Sequence, residues 1–275
     1  YVTAIDIGYK YVNAKKTDQL SVRIHITEKR DKSVLETSEI FPDDIKGVPI
    51  DIIQGTYSLG TTAGRGTEAV DRTSRYSIIK PGISVAHKDV SAGTLGMFVT
   101  DNKTKKAAIL SNWHVLAGSG TARPGDDVVQ PGPYDGGKTP RDVIATLERM
   151  ILDKDGDAAI AVLNQARKYS TSILETNQTI RSIADPKIGD TVVKSGRTTG
   201  VTKGIVDGSG TYFITYPVGR VGVEGFIIVP ENKANTNDVE ISQGGDSGSI
   251  WVDPNTGNAV GLHFAGETNP MPSEE

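Results

Sequence analysis

The 275-residue chain has no cysteine. That excludes disulfides, a thiol nucleophile and cysteine-based zinc sites. It favours a cytoplasmic compartment while leaving bacterial secretion open. No run approaches the roughly 18 apolar residues of a membrane span, and no signal peptide opens the chain. A basic excess is missing too. The net charge is −4, with both signs interspersed, which argues against a nucleic-acid partner. Aromatics are only 6% of the residues, so the core must come from many short, small-residue segments. Histidine is scarce: His25, His87, His114 and His263 are the only imidazoles available as a base. Glycine is abundant, at 31 residues with 13 prolines, which is the punctuation of a mainly β protein with many turns. No internal repeat is evident.

The most informative stretch is Gln243-Gly244-Gly245-Asp246-Ser247-Gly248-Ser249, a serine between glycines just after an aspartate. Glycines let the backbone turn sharply, and they free the N–H groups of Gly245 and Ser247 to face a developing oxyanion. A serine hydroxyl needs a base to take its proton. His114 follows the apolar run Ala107-Ala108-Ile109-Leu110, and is expected at the end of a buried strand that presents it to a cleft. Asp157 opens a second apolar run, where a semi-buried carboxylate can accept Nδ1–H and stabilise the imidazolium. Asp153 and Asp155 read as a solvated hairpin tip. The run Asp-Lys-Asp-Gly-Asp misses the calcium-loop pattern: Gly156 precedes the third acidic position, and Asn164 stands where the closing glutamate belongs. No metal and no cofactor is required.

The chain order His114, Asp157, Ser247 discriminates among hydrolases, because subtilisins and α/β-hydrolases use other orders. Ser247 also lacks the Gly-x-Ser-x-Gly elbow. Together with Ser111-Asn112-Trp113-His114-Val115, Asp157-Ala158-Ala159-Ile160-Ala161 and Ser195-Gly196-Arg197-Thr198-Thr199-Gly200, this makes the chain resemble a trypsin-like serine peptidase of the chymotrypsin fold, bacterial in style. The resemblance covers about residues 80–266. It implies a chymotrypsin-like double β-barrel, a polypeptide substrate and a His114–Asp157–Ser247 triad. It also implies that Gly245 and Ser247 form the oxyanion hole.

The resemblance further implies that the strand after the nucleophile lines the primary pocket, here Val260-Gly261-Leu262-His263-Phe264-Ala265-Gly266. His263 resembles the pocket histidine of glutamyl-specific bacterial and glutamine-reading viral peptidases. With Ser242, Phe264 and Gly266 as further substrate-binding candidates, Glu or Gln is the expected P1 residue. The alternative is that His263 merely packs between strands. The same motifs also fit a catalytically silent binding module, or a serine esterase or acyltransferase. The N-terminal module makes activation by a new terminus beside Asp246 an unfavoured route.

Residues 1–56 read as a small α+β module: two strands, a short helix at 33–40 and a third strand marked as an edge by Pro49. The alternation in Leu20-Ser21-Val22-Arg23-Ile24-His25-Ile26-Thr27 puts His25 on the wet face. This module could dock a regulatory protein partner. Residues 57–80, with Gly60, Gly64 and Gly66, read as a linker or long loop. The first barrel is expected over 81–180 and the second over 186–266, within a peptidase domain of 81–275. A chain starting at Tyr1 and stopping at Glu275, without the closing helix usual in that family, is expected to extend past both ends.

Overall fold

The structure, a computed structural model, describes residues 1–13, 15–60, 70–231 and 240–268. Gly64 and Gly66 of the expected linker lie outside the described residues. Strands dominate, as the glycine-rich sequence predicts. Among the described residues the one α-helical segment is the single turn Trp113–Leu116, and none is long and apolar enough to cross a membrane.

One sheet has seven antiparallel strands in the order Gly93–Thr94, Ser84–His87, Asp127–Val129, Val143–Asp153, Gly156–Leu163, Ala107–Ser111, Met97–Thr100. The strands at its two ends are neighbours in the chain, and the Gly96 N–H reaches the Leu110 carbonyl at 3.0 Å, so the sheet rolls into a barrel. Its interior holds Ile83, Val85, Leu95, Ile109, Leu116, Val128, Ile144 and Leu147, all essentially without solvent contact. Each large aliphatic side chain so buried stabilises the fold by about 2 kcal/mol.

The second sheet is built on Gly200–Tyr216, a 17-residue strand. It pairs with Thr191–Gly196 and Gly219–Val229. Ile250–Val252 and Ala259–Leu262 continue the sheet beyond Thr191–Gly196. Tyr212, Ile214, Tyr216 and Val223 join the same apolar core as the first barrel, so the seam between the two units is packed. This is a mainly β, chymotrypsin-like layout.

The N-terminal segment differs from the expected α+β module. No α-helix occurs among its described residues; the stretch expected as a helix forms the 3-10 turns Lys32–Val34 and Thr37–Glu39. Its strands are not set apart. Val2–Val12 and Lys15–Ile26 form the expected hairpin, but Val2–Val12 also pairs with Gly200–Tyr216, Ala4 facing Tyr212 and Gly8 facing Gly208. Val48–Gln54 adds in parallel to Lys15–Ile26. The segment therefore extends the second sheet. Alternation reveals a strand, but not which edge completes its hydrogen bonds.

Between these strands lies a buried charge cluster. Arg23 donates to Asp6 twice and to Asp207 once, each at 2.7 Å. The facing glycines make the slot for it: a Cβ on Gly208 would lie 1.9 Å from Arg23 Nη2, and one on Gly8 2.3 Å from Cζ. His25 is here as well, only 1% exposed rather than on a wet face. Tyr57 and Tyr212 cover that face, which the period-2 pattern of a single strand could not foresee.

Candidate active site

Ala107–Ser111 ends one residue before Asn112, whose extended backbone starts the turn Trp113–Leu116. His114 thus sits in a helical turn just after the strand, rather than at the strand's own end. Asp157 lies second in Gly156–Leu163, on the neighbouring strand. The two meet squarely: His114 Nδ1 is 2.6 Å from Asp157 Oδ2, and the His114 backbone N–H is 3.3 Å from Oδ1. Asn112 Nδ2 donates to the Asp157 carbonyl at 2.8 Å. Tyr216 O–H donates to Oδ2 at 3.0 Å, and burial next to that carboxylate raises the phenol's pKa, so it stays a donor.

A carboxylate can only accept, so His114 carries its proton on Nδ1 and offers Nε2 as a base. That Nε2 is buried and has no hydrogen-bond partner among the described residues. A buried lone pair left unmatched is costly, and marks a position held open for a partner.

Ser247 lies in the 243–249 loop and is 6% exposed. Thr94, from the first barrel, ties this loop to the histidine's strand. Its N–H donates to the Ser247 carbonyl at 2.7 Å, and its hydroxyl donates to the Gly245 carbonyl at 2.8 Å. Its own carbonyl accepts from Ser111 Oγ at 2.7 Å. Next to Thr94, a Cβ on Gly93 would lie 2.5 Å from a Val115 methyl and 3.0 Å from the Ser247 carbonyl. The stretches carrying residues 114 and 247 therefore pass close together.

The loop is shaped to present N–H groups. Gly245 has φ +99°, and a Cβ there would lie 2.5 Å from Thr198 Oγ1. Thr198 Oγ1 donates to the Gly244 carbonyl at 2.7 Å, so the N–H of that same peptide plane, that of Gly245, points away from it. Asp246 anchors the loop from below. It accepts from Thr198 N–H at 2.8 Å, Thr199 N–H at 3.0 Å, Gln243 N–H at 3.0 Å and Thr199 Oγ1 at 2.6 Å. Lys194 Nζ, equally buried, lies 3.2 Å from it. Burial alone would raise the Asp246 pKa, but Lys194 and these donors outweigh it and hold the carboxyl below its usual range. The charge before Ser247 is thus neutralised from inside the second sheet.

Ser242, His263 and Gly266 border a cleft of about 340 Å³ together with Ser247. Phe264 does not. Its ring packs over Gly225 and the core, because successive side chains on an extended strand point to opposite faces. The His263 pKa is pushed down to about 3, first by burial and then by Lys194. Its imidazole is therefore neutral and lies edge-on to Trp251, ring centroids 6.1 Å apart. Glu240 and Glu267 also border the cleft.

Four site residues escaped sequence reasoning. Lys194 had a signal, a lone charge in the apolar run Thr-Val-Val-Lys. Thr198 lay inside a motif already singled out. Thr94 and Tyr216 had none, since each acts only through a partner far away in the chain.

No protein-family model matches the chain, and no curated protein does either. Solved structures similar to it include Protease A of Thermobifida fusca, at 17% identity and TM-score 0.47, covering 67% of this chain and 82% of that one. Another is a glutamic acid-specific serine protease described as using a histidine triad in substrate binding, at 20% identity and TM-score 0.49, covering 67% and 84%. A third is an alpha-lytic protease homologue, at 20% identity and TM-score 0.49, covering 69% and 85%. These are distant likenesses, and the chemistry of the site stands on this chain's own side chains.

Proposed function

We propose that the chain is a serine endopeptidase that cleaves polypeptides through an acyl-enzyme. One observation carries this: the 2.6 Å His114–Asp157 pair, whose Nε2 is buried with no hydrogen-bond partner among the described residues, on a turn whose Val115 packs at Gly93 beside the Ser247 carbonyl. In this reading Nε2 takes the Ser247 proton as Oγ attacks the carbonyl carbon. Asp157 stabilises the imidazolium, which then gives the proton to the leaving amine. Water repeats the sequence on the ester, releasing the acid and restoring Ser247. The N–H groups of Gly245 and Ser247 stabilise the oxyanion, each worth about 3 kcal/mol at the transition state.

Fluorophosphonate labelling followed by peptide mapping tests this. The expected adduct is on Ser247, and it disappears in Ser247→Ala and His114→Ala. A folded protein that shows no adduct under any condition overturns the reading. Turnover of matched ester and amide substrates separates peptidase from esterase.

For the side chain before the scissile bond, the proposal is Glu or Gln, with Gln preferred. A neutral His263 can donate one hydrogen bond to an amide or carboxylate oxygen, and a site built for that bond rejects residues lacking it. Glu240 and Glu267 at the same cleft disfavour a further negative charge. In a peptide panel varied only at that position, Gln is expected to give the highest kcat/KM, with Glu gaining on it as pH falls toward about 4. Fastest cleavage after Lys or Arg discards the idea.

A further inference from the structure

We propose that the chain's own segment 57–60 occupies the peptide-binding edge of this site, so that an incoming polypeptide must compete with it. The proposal rests on the peptidase reading and deepens it. Tyr57–Ser58 pairs antiparallel with Gly266–Glu267, Ser58 facing Gly266 and Tyr57 facing Glu267. The Thr268 N–H extends the pairing to the Thr56 carbonyl at 2.9 Å. Extended peptides bind protein sheets by adding a strand to an edge, with pockets receiving alternate side chains. The edge beside Ser247 already carries such a strand.

The segment runs on from that pairing into the cleft. Leu59 and Gly60 border the same cleft as Ser242, Gly244, Ser247 and His263. Gly60 is so close to the nucleophile loop that a Cβ on it would lie 2.4 Å from Gly244 Cα and 2.9 Å from Gly244 N. It borders that cleft and, having no side chain, puts no side-chain atoms into it.

The strand is held from a built anchor. Tyr57 O–H lies 2.6 Å from His25 Nδ1. Its ring packs against His25 and Tyr212, with centroids 5.6 and 5.4 Å away. A tethered strand has a high effective concentration at its own edge, so a free peptide meets a strong competitor. The buried cluster of the N-terminal hairpin thereby reaches the cleft through Tyr57.

The test uses the full chain carrying Ser247→Ala, which holds a peptide without cleaving it. The probe is a fluorescein-labelled hexapeptide, Gly-Thr-Tyr-Ser-Leu-Gly, copying residues 55–60. Ser58→Pro removes a ladder donor and weakens the internal strand. The Ser58→Pro protein is expected to bind the probe at least about tenfold tighter than the protein with Ser58. Equal or weaker binding, or none to either, overturns the proposal. Should Ser58→Pro not fold, Tyr57→Phe loosens the anchor by one hydrogen bond, and a roughly threefold gain is expected by the same relation. Binding needs no turnover. Failure of the peptidase reading is therefore seen separately, as absent fluorophosphonate labelling in the Ser58→Pro chain with Ser247 intact.

Discussion

The molecule holds two His–Asp–Tyr clusters, and their tyrosines sit four residues apart on one strand. At the seam, His114 faces Asp157, which accepts from Tyr216 O–H. In the N-terminal hairpin, His25 faces Asp6, which accepts from Tyr212 O–H at 2.7 Å. The inventories match, but the electrostatics do not. Asp6 is neutralised by two bonds from Arg23, and His25 Nε2 stands off at 3.3 Å. The other nitrogen of His25 is occupied by Tyr57. Asp157, by contrast, has no ion-pair partner but His114 among the described residues, at 2.6 Å. Its undivided charge supports an imidazolium, and the far nitrogen is open to react. A carboxylate committed to a guanidinium holds strands together; an uncommitted one can assist proton transfer.

The largest expected effect tests that contrast directly. Asp157→Asn should lower kcat about 10⁴-fold, because the amide can favour the wrong histidine tautomer. Asp6→Asn should leave kcat within a few-fold, but cost about 3 kcal/mol of stability by leaving Arg23 undercompensated in the interior. Steady-state kinetics and urea unfolding on both variants read the two outcomes. If Asp6→Asn removes activity while stability is unchanged, the comparison fails.

Next in size is Lys194→Met. It leaves Asp246 buried with its donors but no cation, a loss of about 3 kcal/mol. Because Asp246 shapes the loop of the proposed oxyanion hole, kcat should fall with little change in KM. Tyr216→Phe and Tyr212→Phe sharpen the comparison further. Each removes one hydrogen bond to a carboxylate, worth about 1.5 kcal/mol. The first should lower kcat roughly tenfold, and the second only the unfolding midpoint.

The last effect is on acid stability. His263 keeps a folded-state pKa near 3, against about 6.5 when unfolded. The unfolded chain therefore binds more protons. The contribution of His263 is complete above about pH 6.5 and is lost as pH falls from there toward 3. The depressed carboxylates Asp6 and Asp246 add a loss at lower pH, below the unfolded carboxylate value of about 3.9. His263→Gln should flatten the stability profile between pH 6.5 and 3 and leave the steeper carboxylate limb. Thermal unfolding across that range checks it.

How much of this was legible before folding follows the range of each interaction. The Asp157 run reads as a strand because its apolar residues are contiguous. The Gly245-Asp246-Ser247-Gly248 turn is local chemistry, and the first hairpin shows its two-residue period. Phe264 was misplaced in the pocket because the strand's register was not known, although its alternation was. His25 was put in solvent because only a neighbour from outside its own hairpin could bury it.

The amino-acid order by itself determined which side chains are chemically able to act, and in what sequence they come, since short-range backbone and side-chain preferences are written in adjacent residues. Tertiary structure alone decided what surrounds them. Arg23 reached Asp6, His114 came to Asp157, Lys194 came to Asp246, and strand Tyr57–Ser58 came to lie on Gly266–Glu267. The reason is physical. Burial and charge pairing depend on which distant segments meet, and that is set by the packing of the whole chain.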